Sequence, residues 1–211
     1  MKLTIFGGTG ATGTCLVEQA LAAGHEVTAI VRDPARLAIR QAAGLHVVTA
    51  DVRIPAAIAG AVARADAALS ALGPHGTGPT TISQDSARSI VQAMQETGVR
   101  RLLTVSGSIV TDEGEGPVMS YLLKPLVRGT RLRHVCADMR RAEAIVSQSH
   151  LDWTIMRPPA LTDKPAAGTY RTAIDRNLAR GFTISRADLA ACMLALLGDG
   201  ATIRRHVCIA N

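Results

Sequence analysis

The sequence predicts an α/β fold, a Rossmann-like doubly wound parallel sheet in a single domain over residues 1–211. Short apolar, often β-branched runs alternate with stretches of helical periodicity, which is typical of βαβ units. The first such run leads directly into a glycine-rich turn and a helix. The chain has 211 residues, of which 47% are hydrophobic, enough to build one large core.

Seven strands and six helices follow from the apolar runs and from the Gly and Pro residues that bound them. The predicted strands are residues 3–6, 27–31, 46–49, 67–71, 102–105, 153–156 and 207–210. The predicted helices are residues 11–23, 34–43, 55–63, 80–97 and 136–149, with a last helix that begins after Ser185 as its N-cap.

Two segments interrupt this alternation, residues 107–133 and 158–181, and each follows the end of a predicted strand. Ligands of open α/β sheets bind outside the carboxyl ends of the strands. We therefore expect these two segments to form loops that wall a substrate pocket.

The composition favours a small phosphorylated ligand over nucleic acid. The formal net charge is +6 and the isoelectric point is about 9.7, so the chain attracts polyanions. Its Lys and Arg residues are scattered, however, and aromatic residues make up only 2%, which leaves few platforms for base stacking.

The cysteines indicate neither a metal site nor disulfides. Cys15, Cys136, Cys192 and Cys208 form no C-x-x-C pair, and no His pair has metal-ligand spacing. They are predicted to be small buried residues of a reducing compartment. The apolar run at the N-terminus is too short for a signal peptide and no run has transmembrane length, so we expect a cytoplasmic protein. We expect a monomer or homodimer, because small chains of this kind often bury enough core alone.

The turn after the first strand has the sequence TIFGGTGATG, in which glycines have separate tasks. Gly7 and Gly8 permit the tight turn from strand to helix, and Gly10 lets backbone amides approach a diphosphate. Gly13 lets the helix pack close to the sheet. A strand precedes this turn and a helix follows it, which is the context that a dinucleotide-binding motif requires.

The helix N-terminus presents unpaired N–H groups and the positive end of the helix dipole to the phosphates. The hydroxyl groups of the two threonines are further donors. The cofactor contacts predicted at this turn are Gly7, Thr9, Gly10, Ala11, Thr12 and Gly13.

Arg32 ends the second predicted strand, 19 residues after Gly13. An acidic residue at this place binds the ribose 2′-hydroxyl of NAD, whereas an Arg accommodates the 2′-phosphate of NADP. NADP(H) is therefore favoured over NAD(H). Asp33 is adjacent to Arg32, and if the acid stood first in the site, NAD(H) would be the cofactor. Alternatively, Asp33 only forms the turn before Pro34. Arg36 is either a second phosphate ligand or a solvated side chain.

Several motifs together resemble the atypical short-chain dehydrogenases. They are GGTGATG at the N-terminus, VRDPARL after the second strand, ADVR at 50–53, LDWTIMRPP at 151–159 and ISRADLA at 184–190. The most similar types are the NAD(P)H-binding NmrA-like proteins and the biliverdin reductase B and flavin reductase group. The resemblance extends over nearly the whole chain and specifies the superfamily without specifying a substrate.

The resemblance implies further cofactor contacts along the cleft. Asp51 and Val52 would flank the adenine, although Asp51 is alternatively a cap at a strand end. The contacts implied towards and around the nicotinamide are Leu72, Gly73, Ser106, Pro158 and Pro159.

The chain departs from the superfamily at the catalytic pair. Other members carry Tyr-x-x-x-Lys, in which Tyr donates a proton and Lys lowers its pKa. Counting back from the RPP motif puts these positions near Val135 and Met139, neither of which transfers protons. Tyr121 and Lys124 are one residue too close together, within an apolar segment, residues 118–127, that we interpret as a mobile lid.

The missing pair is compatible with three functions. The first is an NADPH-dependent reductase of a flavin, quinone or similar conjugated acceptor, in which Ser106 and Ser108 hydrogen-bond the substrate or relay a proton, unless they only cap the turn between them. The second is a non-catalytic NADP(H) sensor of the NmrA-like type. The third is a ketoreductase or isomerase that uses Tyr121. His134 could act as an acid, but the simpler interpretation is a solvated residue at the start of a helix. Arg157 is expected to shape its loop and not to take part in catalysis.

Overall fold

The computed structural model describes residues 1–39, 41–74, 76–111 and 132–211. Its strands are β1 (Lys2–Phe6), β2 (Glu26–Val31), β3 (Leu45–Thr49), β4 (Ala67–Ser70), β5 (Arg101–Val105), β6 (Asp152–Arg157), β7 (Ala160–Thr162), β8 (Arg171–Ile174), β9 (Thr183–Ser185) and β10 (Arg205–Ala210). Its helices are α1 (Ala11–Ala22), α2 (Pro55–Val62), α3 (Ile82–Thr97), α4 (Arg133–Ser147) and α5 (Arg186–Ala195).

The α/β fold is confirmed. Eight strands form one sheet in the order β3-β2-β1-β4-β5-β6-β10-β8, and only β8 runs antiparallel to its neighbour. A separate pair joins β7 to β9. The strand order reverses between β1 and β4, which opens a crevice at the carboxyl ends of these strands, where ligands of doubly wound sheets bind.

Each face of the sheet buries one layer of helices. On one face, α1 contributes Leu16, Val17 and Ala20, and it packs against α5. On the other face, α2 and α3 pack side by side, and α3 packs against α4. Among the described residues the core is built mainly from Ala, Val, Leu and Ile, as the scarcity of aromatic residues predicts.

The helix predicted over residues 34–43 is wrong. Only a 3₁₀ turn, Pro34–Arg36, forms there, and the chain then becomes extended at Leu37 (φ −75°, ψ 128°). Leu37 is buried beside Gly8 in the core. A helix of about ten residues is marginal unless it buries an apolar face, and in this segment an extended Leu37 already reaches the core.

The segment 158–181, predicted as a loop, contains β7 and β8. Both strands are short and largely exposed, so they lack the apolar alternation that identifies a strand. The N-cap prediction is confirmed, because the Ser185 hydroxyl accepts a hydrogen bond of 2.9 Å from the Asp188 amide. Within the described ranges, no helix is long and apolar enough to cross a membrane.

Candidate functional site

A cleft of about 270 Å³ lies at the point where the strand order reverses. Its walls come from the ends of β1, β2 and β4 and from the segment before α3. Eight residues predicted from the sequence line it: Gly7, Thr9, Gly10, Arg32, Asp51, Val52, Leu72 and Gly73. Six further lining residues had not been predicted: Ile30, Val31, Ala50, Ala71, Thr80 and Ile82.

The glycine turn is built so tightly that side chains do not fit into it. Gly7 has a φ of +83°, and a Cβ atom there would lie 2.9 Å from the carbonyl carbon of Ala71. A Cβ atom on Gly13 would overlap the carbonyl oxygen of Gly7. That oxygen also accepts a hydrogen bond of 2.9 Å from the Gly10 amide. The turn therefore brings the start of α1 directly against the end of β1.

The start of α1 has amide groups with no protein acceptor. Gly10 is the N-cap and provides no side chain, and the first helical bond runs from the Thr14 amide to the Gly10 carbonyl at 2.8 Å. The N–H groups of Ala11, Thr12 and Gly13 accordingly have no hydrogen-bond partner in the part of the chain that the structure covers. Three such amides at the positive end of a helix dipole form an anion site, and a diphosphate fits this donor set.

Arg32 follows β2 directly and lines the same cleft as Gly7, Thr9 and Gly10. Its side chain is exposed, and none of the described carboxylates forms an ion pair with it. The neighbouring Asp33 accepts a hydrogen bond of 3.0 Å from the Ala35 amide and so caps the 3₁₀ turn. Asp33 thus serves the turn, whereas Arg32 lines the cleft.

Asp51 is held by Arg53. Nε and Nη2 of Arg53 donate to the Asp51 carboxylate at 3.0 and 2.6 Å, and the Arg53 amide donates a third bond at 3.0 Å. These bonds lower the pKa of Asp51 to about 2. The carboxylate is therefore ionised and paired with Arg53, while Arg32, whose charge also helps to lower the pKa of Asp51, forms no ion pair with it.

The turn that contains Ser106 and Ser108 is joined to the end of β6. The Ser106 amide donates to Met156 O, and the Ser108 amide donates to Pro158 O, both at 2.8 Å. Ser106 and Pro158 are buried and lie outside the lining of the cleft. The side-chain amide of Asn177 donates to Ser108 O at 3.3 Å, which connects this turn to the segment before β9.

The positions at which the resemblance implies the Tyr–Lys pair lie on α4. Val135 and Met139 are half-buried there, and a Cβ atom on Gly107 would lie 3.7 Å from the terminal methyl of Met139. An apolar contact thus takes the place of a proton donor. Tyr121 and Lys124 lie outside the described residues.

Arg157 forms a buried ion pair with Glu143. Its Nε and Nη2 donate to the two carboxylate oxygens at 3.0 and 2.7 Å, and both side chains are about one-tenth exposed. This two-pronged geometry fixes the end of β6 to α4, in agreement with the structural task expected for Arg157. Glu143 had not been singled out in the sequence, since one acid on a predicted helix carries no signal.

Three comparisons with known proteins describe what the chain is similar to. Residues 7–200 match the sequence profile of a family described as NAD(P)H-binding. The protein YhfK of Bacillus subtilis (strain 168), named an uncharacterized sugar epimerase, is 31% identical over 211 residues, which cover 97% of this chain and 92% of YhfK.

Two solved structures share the fold. A short-chain dehydrogenase/reductase of Veillonella parvula DSM 2008, in complex with NADP, has a TM-score of 0.85 at 18% identity and covers 100% of this chain and 94% of its own. ChuY of Escherichia coli O157:H7, described as an anaerobillin reductase, has a TM-score of 0.76 at 24% identity, with coverage of 100% and 97%.

Proposed function

The chain belongs to the NAD(P)H-binding family, and on that premise we propose that it is an NADPH-dependent reductase of a flavin, quinone or similar conjugated small molecule. One observation carries the proposal: the glycine turn that leads into the unpaired amides of α1 lines the same cleft as Arg32, whose guanidinium forms no ion pair with a described carboxylate. Such a cleft fits a dinucleotide that carries an additional phosphate.

In this proposal the turn from Gly7 to Gly13 holds the diphosphate through backbone amides. Arg32 binds the 2′-phosphate, and Asp51 and Val52 flank the adenine. Leu72, Gly73, Ser106 and Pro158 hold the nicotinamide half. Bound NADPH supplies a hydride, and the chain supplies position and shelter from water. The walls expected for the acceptor pocket are the segments 107–133 and 158–181, and residues 112–131 of the first lie outside the described residues.

The nature of the acceptor follows from the missing acid. With Val135 and Met139 at the positions of the pair, no side chain there donates a proton. A conjugated acceptor spreads the charge that arrives with the hydride, so that its proton can come from solvent or through Ser106 and Ser108. A small aldehyde or ketone would need an acid in contact with its oxygen. The name of ChuY, a reductase of the same fold, agrees with this choice.

Two other functions remain candidates, each favoured by one observation. The absence of the pair also suits a non-catalytic NADP(H) sensor that acts through a protein partner. The name of YhfK suits an isomerase or ketoreductase, in which Tyr121 would be the acid.

The test follows NADPH oxidation at the nicotinamide absorbance band with FMN, a quinone or a tetrapyrrole as acceptor. Turnover of one of them, faster than with a simple ketone, supports the reductase. NADPH binding without turnover of any acceptor favours the sensor. Replacement Tyr121→Phe distinguishes the third function, because only an enzyme that uses this hydroxyl would lose activity.

A further inference from the structure

A small chamber lies between α3 and α4, next to the cleft. Its volume is about 30 Å³. Leu72 lines both the chamber and the cleft, so the two spaces share a wall. Ser86 of α3, Ser106 after β5 and Glu143 of α4 bring polar groups to the chamber.

Two hydroxyl groups of this chamber are buried without a partner. Ser86 is 2% exposed and Ser106 is 8% exposed, and neither Oγ atom has a hydrogen-bond partner within the described ranges. Buried hydroxyl groups are rarely left in this state, because they lose their hydrogen bonds to water. The carboxylate of Glu143 receives two bonds from Arg157 and has lone pairs that remain open.

We propose that the chamber binds a buried water molecule that bridges Ser86, Ser106 and Glu143. A site for one water needs at least about 10–15 Å³ and two to four polar partners, and the chamber offers both. Nothing in the predicted cofactor site requires this water. It is a binding site of its own, and it makes Ser86 a positioning residue for Ser106.

The carboxylate fixes the direction of one hydrogen bond: an ionised Glu143 only accepts, so the water donates one proton to it. The proposal assigns the second proton of the water to Ser106 Oγ. The Ser86 hydroxyl then donates to the water. In this arrangement the oxygen of Ser106 accepts from the water, and its own O–H remains available as a donor to a bound ligand. This last step rests on the proposed function, since it takes the nicotinamide and the acceptor to lie beside Ser106.

The chain offers a matched control for Ser86. Ser89 is on the same helix, is 1% exposed and also has a hydroxyl without a partner among the described residues, but it does not line the chamber. The changes Ser86→Ala and Ser89→Ala therefore remove the same group in the same helical setting. Only the first removes a ligand of the proposed water.

The first two measurements do not depend on activity. In the unliganded protein, a long-lived water should give a cross-peak to the Ser106 amide in water–amide NMR spectra, and Ser86→Ala should abolish it while Ser89→Ala leaves it. In urea, the midpoint of unfolding of Ser86→Ala should be lower than that of Ser89→Ala. A dry chamber predicts no cross-peak and equal midpoints for the two variants, which would overturn the proposal.

The third measurement concerns the link to the cleft. With the acceptor that the wild-type protein reduces, Ser86→Ala should lower kcat about fivefold, the effect of losing one ordinary hydrogen bond, and should leave the Kd of NADPH unchanged. Ser89→Ala should alter neither. An unchanged kcat in Ser86→Ala would overturn the positioning role. If the wild-type protein binds no NADPH, the proposed function fails together with that role, whereas the NMR and urea results still decide whether the water is present.

Discussion

Replacing Arg32 by Ala is expected to weaken NADPH binding about 30-fold and to leave NADH binding nearly unchanged. The side chain is exposed, so its attraction for the 2′-phosphate acts through water. At a separation of about 4 Å, two unit charges in water attract by about 1 kcal/mol, and a phosphate monoester carries up to about two charges. The resulting ~2 kcal/mol corresponds to about a 30-fold change in Kd.

The two Kd values are obtained by fluorescence titration of the wild-type protein and the variant at low ionic strength. Added salt should reduce the difference, because the Debye length falls from about 30 Å at 0.01 M to about 3 Å at 1 M. Arg64→Ala is the control, since Arg64 lies in a cleft near the amino ends of β1 and β2 and its loss changes the net charge equally. A parallel loss of NADPH and NADH affinity in Arg32→Ala would refute the assignment of Arg32 to the 2′-phosphate.

Three further predictions concern the frame of the site. Gly13→Ala places a methyl group against the Gly7 carbonyl and should lower the stability of the protein by about 1–3 kcal/mol. It should also weaken cofactor binding. An unchanged urea midpoint would contradict this prediction. Glu143→Gln leaves Arg157 buried without its counter-charge and should destabilise the protein by about 3–5 kcal/mol. Adding Arg157→Met should recover much of this lost stability. Equal urea midpoints in the single and the double variant would show that the pair is not coupled. Burial, and then the charge of Arg157, lower the pKa of His206 below 6.5. As the pH falls, the unfolded chain therefore binds this proton first, and the stability of the protein should decrease below about pH 6.5. In His206→Gln the urea midpoint should change less between pH 7.5 and 5.5 than in the wild-type protein, and an equal change would argue against the lowered pKa.

The parts of the fold that the sequence predicts are those with a local physical cause. All seven predicted strands are present, and six of them are buried or half-buried apolar runs. The strand predicted at 46–49 is mostly exposed and is held by its pairing with β2. The helix over 34–43 failed since its residues favour a helix but bury no helical face, and Leu37 reaches the core by an extended chain. The short strand β8 owes its structure to pairing with β10, a contact distant in sequence.

The same distinction applies to the candidate site. The glycine turn has a sequence signature because a side chain on Gly7 or Gly13 would strike the backbone. The pairing of Arg53 with Asp51 has no such signature. Whether the negative charge of Asp51 acts on the cleft depends on this pairing, which the sequence does not reveal. The contribution of Glu143 is likewise a property of three-dimensional packing, which brings it to Arg157 from another element.

The geometry around α4 argues for a division of tasks between cofactor and protein. In a reductase that forms an alkoxide, a proton must arrive as the hydride is transferred, and a Tyr–Lys pair on this helix provides it. Here Met139 lies near Gly107, at 3.7 Å from where a Cβ atom on that glycine would stand, and the helix donates no proton from this position. In the proposed reductase, such a site should reduce acceptors according to how well they stabilise the added charge by themselves. The order of rates should therefore follow the reduction potential of a series of quinones, with simple ketones inert, and a site with a hidden acid would instead reduce ketones at comparable rates.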